Sequence, residues 1–322
     1  MSVIVPGPRA AEKIDRLAEL AALSEERGGS LWQEAFARLR RNPMAIIGAV
    51  IILLFVILAI VGPFLVPYSP TAQTWRDEVS IAREAFPGPR AENLLGVDAL
   101  GRDFFSRLVI GARQTLLVGV VATLLGFAVG ALLGAVAGGA AGLGGRRGAW
   151  IDNILMRFTD VLLALPSLLL ALSIAAVLGR SLTTLMIAVG VVQIPVFARL
   201  LRGSMIAQAH SDYVLAGTAL GVRKPKLVLG HIVPNSLGPV IVQATLTLAT
   251  AIIEAAALSF LGLGNPDPST PEWGVMLADA QQFLGVRPDW AFYPAAGIII
   301  TALGFTLFGE ALREALDPKL RK

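Results

Sequence analysis

The sequence predicts an all-α, polytopic membrane protein with about six transmembrane helices, and three observations carry that expectation. Hydrophobic residues make up 55% and charged residues 16% of the 322, with mean hydropathy +0.70. So much apolar surface exceeds what one soluble domain conceals, and lipid is the expected solvent. Apolar stretches of about 20 residues, the length of a bilayer crossing, recur along the chain. Basic residues gather in alternate connections, as the bias of cytoplasmic loops towards Lys and Arg requires.

In chain order, residues 1–30 read as a cytoplasmic mobile tail, charged and poor in large apolar side chains. No apolar run precedes Pro43, so the first span is expected to serve as its own insertion signal. Residues 31–110 are expected to hold an interfacial helix, the first span and an extracytoplasmic loop. In that helix Leu31, Trp32, Ala35, Phe36 and Leu39 recur at helical spacing beside Arg38, Arg40 and Arg41. Residues 111–322 form the core, with five further spans. The spans fall near 44–66, 115–141, 152–178, 182–200, 237–263 and 291–309, and the first carries no charge.

Arg38, Arg40 and Arg41 precede the first span, and Arg146 and Arg147 lie between the second and third. Arg199, Arg202, Arg223, Lys224 and Lys226 lie between the fourth and fifth, and Arg313, Lys319, Arg321 and Lys322 follow the sixth. Six spans put all of these, and both termini, on the cytoplasmic side. Loop 264–290 on the opposite side is acidic, with Asp267, Glu272, Asp279 and Asp289 against Arg287; loop 67–113 runs against the trend through Arg102, Arg107 and Arg113.

Gly126, Gly130, Gly134 and Gly138 share one face of the second span, where close helix packing is expected, either static or sliding. Pro166 should kink the third span. Arg157 and Asp160, three residues apart, are expected to pair. Glu254 lies deep with no sequence-local partner; it lines a pathway, meets another subunit or is protonated.

Several chemistries are excluded. The chain has no cysteine, hence no disulfide and no thiolate site, and its net charge of +4 is scattered, unlike a nucleic-acid surface. Its two histidines, His210 and His231, share one connection and cannot form a histidine cluster inside the membrane, and His231 is expected to help fix the returning helix. The glycine cluster Gly142–Gly148 lacks the Lys and hydroxyl residue of a phosphate-gripping loop.

Segment 199–236 carries most of the information. Tyr213–Leu220 reads as a short helix closed by Gly221, and Pro225 fits the first turn of a second helix ending near Pro234. DYVLAGTALGVRKPKLVLGHIVPN (Asp212–Asn235) resembles the coupling loop of binding-protein-dependent ABC importer permeases, whose pattern is E-A-A-x3-G-x9-I-x-L-P. Ala216, Gly221 and Pro234 match it, whereas Leu215, Gly217, His231 and Val233 depart from it. LLGVDALGRDFFSRLVIGAR (Leu94–Arg113), DNILMRFTDVLLALPSLLLAL (Asp152–Leu172), ALSFLGLG (Ala257–Gly264), TPEWGVML (Thr270–Leu277) and ALREALDPKL (Ala311–Leu320) are similar to the C-type permease of dipeptide, oligopeptide and nickel importers.

That resemblance implies a type I ABC importer permease fold in a bacterial-type cytoplasmic (inner) membrane. It implies a second homologous permease, two ATP-binding subunits that carry ATP and Mg, and an extracytoplasmic solute-binding protein meeting loops 67–113 and 264–290. No cofactor is expected on this chain, which would be a transport subunit rather than an enzyme. The ATPase would dock on Asp212, Tyr213, Val214, Leu215, Ala216, Gly217, Thr218, Ala219, Leu220 and Gly221, with Arg223 at the rim and Pro234 closing the loop. Dipeptides or oligopeptides are the expected cargo, with nickel or another small solute as the alternative. Trp273–Leu284 reads as a partly buried amphipathic helix near the outer gate. A secondary carrier would need more intramembrane ionisable groups, and an intramembrane enzyme a nucleophile–base pair.

Overall fold

The computed structural model describes residues 31–316, with side chains from Ala35 onward. The tail expected at 1–30, and Lys319, Arg321 and Lys322, lie outside the described residues. Helix α1 (Leu31–Leu39) packs on the far end of the last helix: Arg38 Nη1 donates to the Ala315 carbonyl at 3.4 Å. Ala35 is buried there and Phe36 faces outward. Helix α2 (Pro43–Leu65) starts where Asn42 Oδ1 accepts from the Met44 N–H at 2.9 Å, with Pro43 in the first turn.

A loop follows, without strands among the described residues, pinned by buried charge: Arg102 Nε donates to Asp98 Oδ2 at 2.6 Å and Arg107 Nε lies 3.3 Å from the same oxygen. Asp103 then caps α3 (Phe104–Leu143), accepting from the Ser106 N–H at 2.7 Å. This 40-residue helix is about 60 Å long, twice what a bilayer core needs. It begins eleven residues before the expected span, so the boundary drawn at residue 110 falls inside it.

The expected third span is corrected. It consists of α4 (Gly145–Ala164) and α5 (Ser167–Leu178), whose axes meet at 92°. Pro166 has no N–H to give and forces Leu165 into an extended conformation (φ −90°, ψ 136°), which ends α4 instead of bending it. The fourth span is also corrected: α6 (Leu182–Ala209) runs straight past Pro195 and Arg199.

Beyond it lie α7 (Asp212–Ala219) and α8 (Lys224–Leu227); a π turn at Val228–Ile232 carries α8 directly into α9 (Val233–Leu258). The second short helix therefore does not end at Pro234, which sits in the first turn of α9. Helix α10 (Trp273–Ala280) and α11 (Asp289–Leu316) complete the described residues. Among the described residues five helices are long and apolar enough to cross a membrane, and the bent pair α4–α5 makes six.

Three apolar clusters fill the bundle. One gathers Phe55, Phe104, Trp273 and Trp290; a second Val118, Ala171, Leu185 and Ala251; a third Phe197, Met205, Val214 and Ile232. Large apolar side chains such as Ile60, Leu132, Val161 and Ile299 remain exposed, as lipid-facing residues do.

Candidate functional site: an exposed helix–turn–helix on a glycine-zipped pair

The four glycines of α3 lie against the backbone of α6. A Cβ at Gly126 would stand 2.9 Å from the Gly190 oxygen, at Gly130 2.5 Å from the Ile194 oxygen and at Gly134 2.5 Å from the Ala198 oxygen. At Gly138 it would meet Met205 Cβ at 2.9 Å. Only missing side chains permit this approach, so α3 and α6 form one body along four turns.

Helix α4 joins that body through charge. Arg202 Nε and Nη2 hold both oxygens of Asp152, the second at 2.6 Å, and Arg199 pairs with Asp160. The expected Arg157–Asp160 pair is thus corrected: Asp160 reaches across to α6, and Arg157 forms no ion pair among the described residues. Of the two inter-helix pairs, Arg202–Asp152 is a two-pronged fork, the stronger and more directional kind, whereas Arg199 meets Asp160 through one nitrogen.

At its far end α6 turns over His210, whose Nδ1 lies 3.0 Å from the Ile206 carbonyl, into α7. Of α7 only Val214 is buried, seated in the third apolar cluster, and Gly217 lies so near Leu227 that a Cβ would approach its Cδ2 to 2.7 Å. Asp212, Ala216, Thr218 and Ala219 are exposed, as are Tyr213, Leu215 and, at 84%, Leu220. The helix closes as the Gly221 N–H donates to the Thr218 carbonyl and the Val222 N–H to the Gly217 carbonyl, both at 3.0 Å. Gly221 has φ +75°, which a side chain opposes. Arg223 is exposed and extended, Pro225 opens α8, and Lys224 Nζ donates to the Leu143 carbonyl at 2.6 Å, tying the turn to the end of α3. His231 stands exposed in the π turn. The result is a short helix anchored at two points, with an apolar outer face.

Inside the bundle Glu254 accepts from Gln193 Nε2 of α6 at 3.0 Å. Sequence spacing gave no sign of this partner, 61 residues away. At the other end, Trp273 is 1% exposed; its indole N–H donates to the Leu108 carbonyl at 2.9 Å and its ring meets Phe55 edge-on. The expected amphipathic segment is therefore a core element at its start. Beside it Glu272 is buried and accepts from the Asn265 N–H at 2.9 Å and Ser259 Oγ at 3.1 Å. Burial pushes its carboxyl above the usual range, and the two hydrogen bonds oppose that shift.

Residues 130–322 match the family described as binding-protein-dependent transport system inner membrane component, and residues 30–83 match the N-terminal TM domain of oligopeptide transport permease C. The chain is 42% identical over 292 residues to the dipeptide transport system permease protein of Alkalihalophilus pseudofirmus, covering 91% of each. It is 40% identical over 290 residues to the glutathione transport system permease protein of Shigella flexneri serotype 5b, covering 90% of this chain and 91% of that one. The corresponding protein of Escherichia coli O157:H7 is 39% identical over 290 residues, with the same coverage. Bundle, exposed helix–turn–helix and relatives agree, and this chain belongs to the binding-protein-dependent transport system inner membrane components, the permease subunits of ABC importers.

Proposed function

We propose that this chain is the C-type permease of an importer for dipeptides or other short peptides. It pairs with a second, homologous permease. ATP and Mg are held by two separate ATP-binding subunits, and an extracytoplasmic solute-binding protein delivers the cargo to loops 67–113 and 264–290. Both termini and segment 199–236 face the cytoplasm, a reading supported by the arginines around positions 38–41, 146–147 and 199–223. The relatives named for a dipeptide and for glutathione support a small peptide as cargo over nickel.

One observation carries the coupling role: α7 exposes Tyr213 and Leu215, and Leu220 just past its end, while Val214 is its one buried residue. A short helix with an apolar outer face, held between the ends of α3 and α6, suits a groove on an ATPase. Leu215 and Leu220 contribute apolar contact, with Asp212 and Arg223 at the rim.

The test is affinity purification from detergent-solubilised membranes, followed by reconstitution in liposomes with the solute-binding protein. A second permease and ATP-binding subunits should co-purify, and dipeptide uptake should require ATP. Uptake by this chain alone without nucleotide would sink the reading. ATP-driven nickel uptake without peptide uptake would replace the cargo only.

A further inference from the structure

Polar side chains inside the spans fall on one line. Along α9, Gln243, Thr247, Thr250 and Glu254 follow at steps of four, three and four residues, which is one helix face. Gln243 Nε2 donates to Thr247 Oγ1 at 3.3 Å, and Thr250 Oγ1 donates to the Thr247 carbonyl at 3.0 Å. The line ends at Glu254, which accepts from Gln193 of α6 and stands beside Ser167. Ser167 is the first residue of α5, immediately after the break at Leu165–Pro166. Three helices thus bring polar groups to the place where the third span is interrupted.

Thr250 and Ser167 are exposed and Glu254 is half-buried, so this face opens outward from the chain. A carboxylate turned to hydrocarbon costs about 2.5–3.5 kcal/mol on insertion scales. Non-helical backbone at membrane depth is tolerated only against protein or a water-filled cavity. Both arguments exclude lipid. No ion pair among the described residues involves Glu254, so its charge is not spent within the chain.

We infer that Glu254 is a substrate subsite, whose carboxylate receives the ammonium group of a peptide passing along the polar line of α9. This rests on the peptide-import reading. A carboxylate accepts in about four directions, and Gln193 takes one, leaving room for a cation. Gln193 orients the carboxylate, while the exposed face gives access. Every free peptide carries an α-ammonium group whatever its side chains, so one fixed anion serves cargo of varied sequence. Partial exposure keeps the contact weak enough for release, which conduction requires.

The test uses the whole assembly in liposomes with its solute-binding protein and alanyl-alanine as cargo. Glu254→Gln keeps the size and shape of the side chain, and an amide oxygen able to accept from Gln193, while it removes the charge. Uptake should fall by roughly tenfold or more, as loss of a charge-assisted contact implies. Binding-protein-stimulated ATP hydrolysis should stay unchanged, and Glu254→Asp should recover part of the uptake. The chain has no cysteine, so Thr250→Cys on the polar line and Ile60→Cys on the lipid-facing side of α2 report water access directly. A charged, water-soluble thiol reagent should label the first and not the second, and alanyl-alanine should slow that labelling. Uptake by Glu254→Gln equal to wild type overturns the inference. So does joint loss of uptake and assembly, which marks Glu254 as an interface residue. An intact wild-type assembly that takes up no peptide would fail the peptide reading instead, while thiol labelling still reports on the pathway.

Discussion

Gly130→Ala tests the contact that holds the bundle together. The new Cβ would stand 2.5 Å from the Ile194 carbonyl oxygen, and ordinary contact begins at 3.4 Å, so α3 and α6 must part by about 0.9 Å (3.4 − 2.5). The obstacle is helix backbone, which has no rotamer to change. A gap of that size forfeits roughly a quarter to a half of each dispersion well along the seam, including those at Gly126 and Gly134. Overpacking of this kind costs about 1–3 kcal/mol, with the upper part expected here because backbone meets Cβ. Alanine's helix propensity returns about 1 kcal/mol, leaving a net loss of about 1–2 kcal/mol. Gly203→Ala in α6 is the matched control: no atom lies within 4 Å of its Cβ, so it should be stabilising by up to about 1 kcal/mol. Unfolding midpoints of the two purified variants, read by tryptophan fluorescence in one detergent, should differ in that order. Equal midpoints would refute the zipper argument.

Gly221→Val meets no neighbour within 4 Å but must hold φ +75°, a strain of about 1–2 kcal/mol; insertion should survive while ATP-driven uptake at matched expression is lost, and normal uptake would remove the turn from the coupling role. Trp273→Ala empties a buried site and removes the indole contact to the Leu108 carbonyl, so stability should fall by about 3–5 kcal/mol in detergent unfolding, whereas a surface-like loss below about 1 kcal/mol would contradict its burial. Glu272 holds its proton more tightly folded than unfolded; its contribution is complete below the unfolded pKa and is lost as pH rises through the folded value. Wild-type stability should therefore decline from mildly acidic towards neutral pH, and Glu272→Gln should flatten that slope in melting curves taken across the range.

What the sequence made legible is what one helix reveals about itself. The charge-free run Met44–Val66 marks α2, the four-residue glycine rhythm marks a close seam, and Gly221 with Pro225 marks the turn between α7 and α8. Partners across helices stayed hidden. Asp160 looked paired to Arg157 because spacing registers only one helix, whereas the glycine seam sets the height at which Arg199 and Arg202 meet α4. Pro166 announced a disturbance but not a 92° break, since the angle depends on where each half finds a surface: α4 lies along α3 and α6, α5 along α6. Loop 67–113 resisted the charge rule because Arg102 and Arg107 are buried against Asp98 and do not act as free cations.

Helix α6 connects the proposed coupling helix to the proposed subsite. Gln193 and Ala209 lie on it 16 residues apart, about 24 Å at the helical rise. Val214 of α7 and Met205 of α6 share one cluster, so a push on α7 falls on the end of α6. The glycine seam has backbone on one side and no side chain on the other, leaving little compressible material; α3 must move with α6. The pair α4–α5 differs. Helix α4 is fastened to α6 by two ion pairs, yet its continuity with α5 stops at Leu165, so the angle at the break is the degree of freedom a push on α7 reaches first. Spin labels on an otherwise cysteine-free chain separate the two behaviours, with Val136 and Gly203 spanning α3–α6 and Leu163 and Leu169 spanning the break, all four exposed. Between nucleotide-free and ATP-bound assemblies the first distance should hold and the second change. A change confined to the first pair would mean that the seam slides, and that the rigid body carrying motion from α7 to Glu254 is some other part of the bundle.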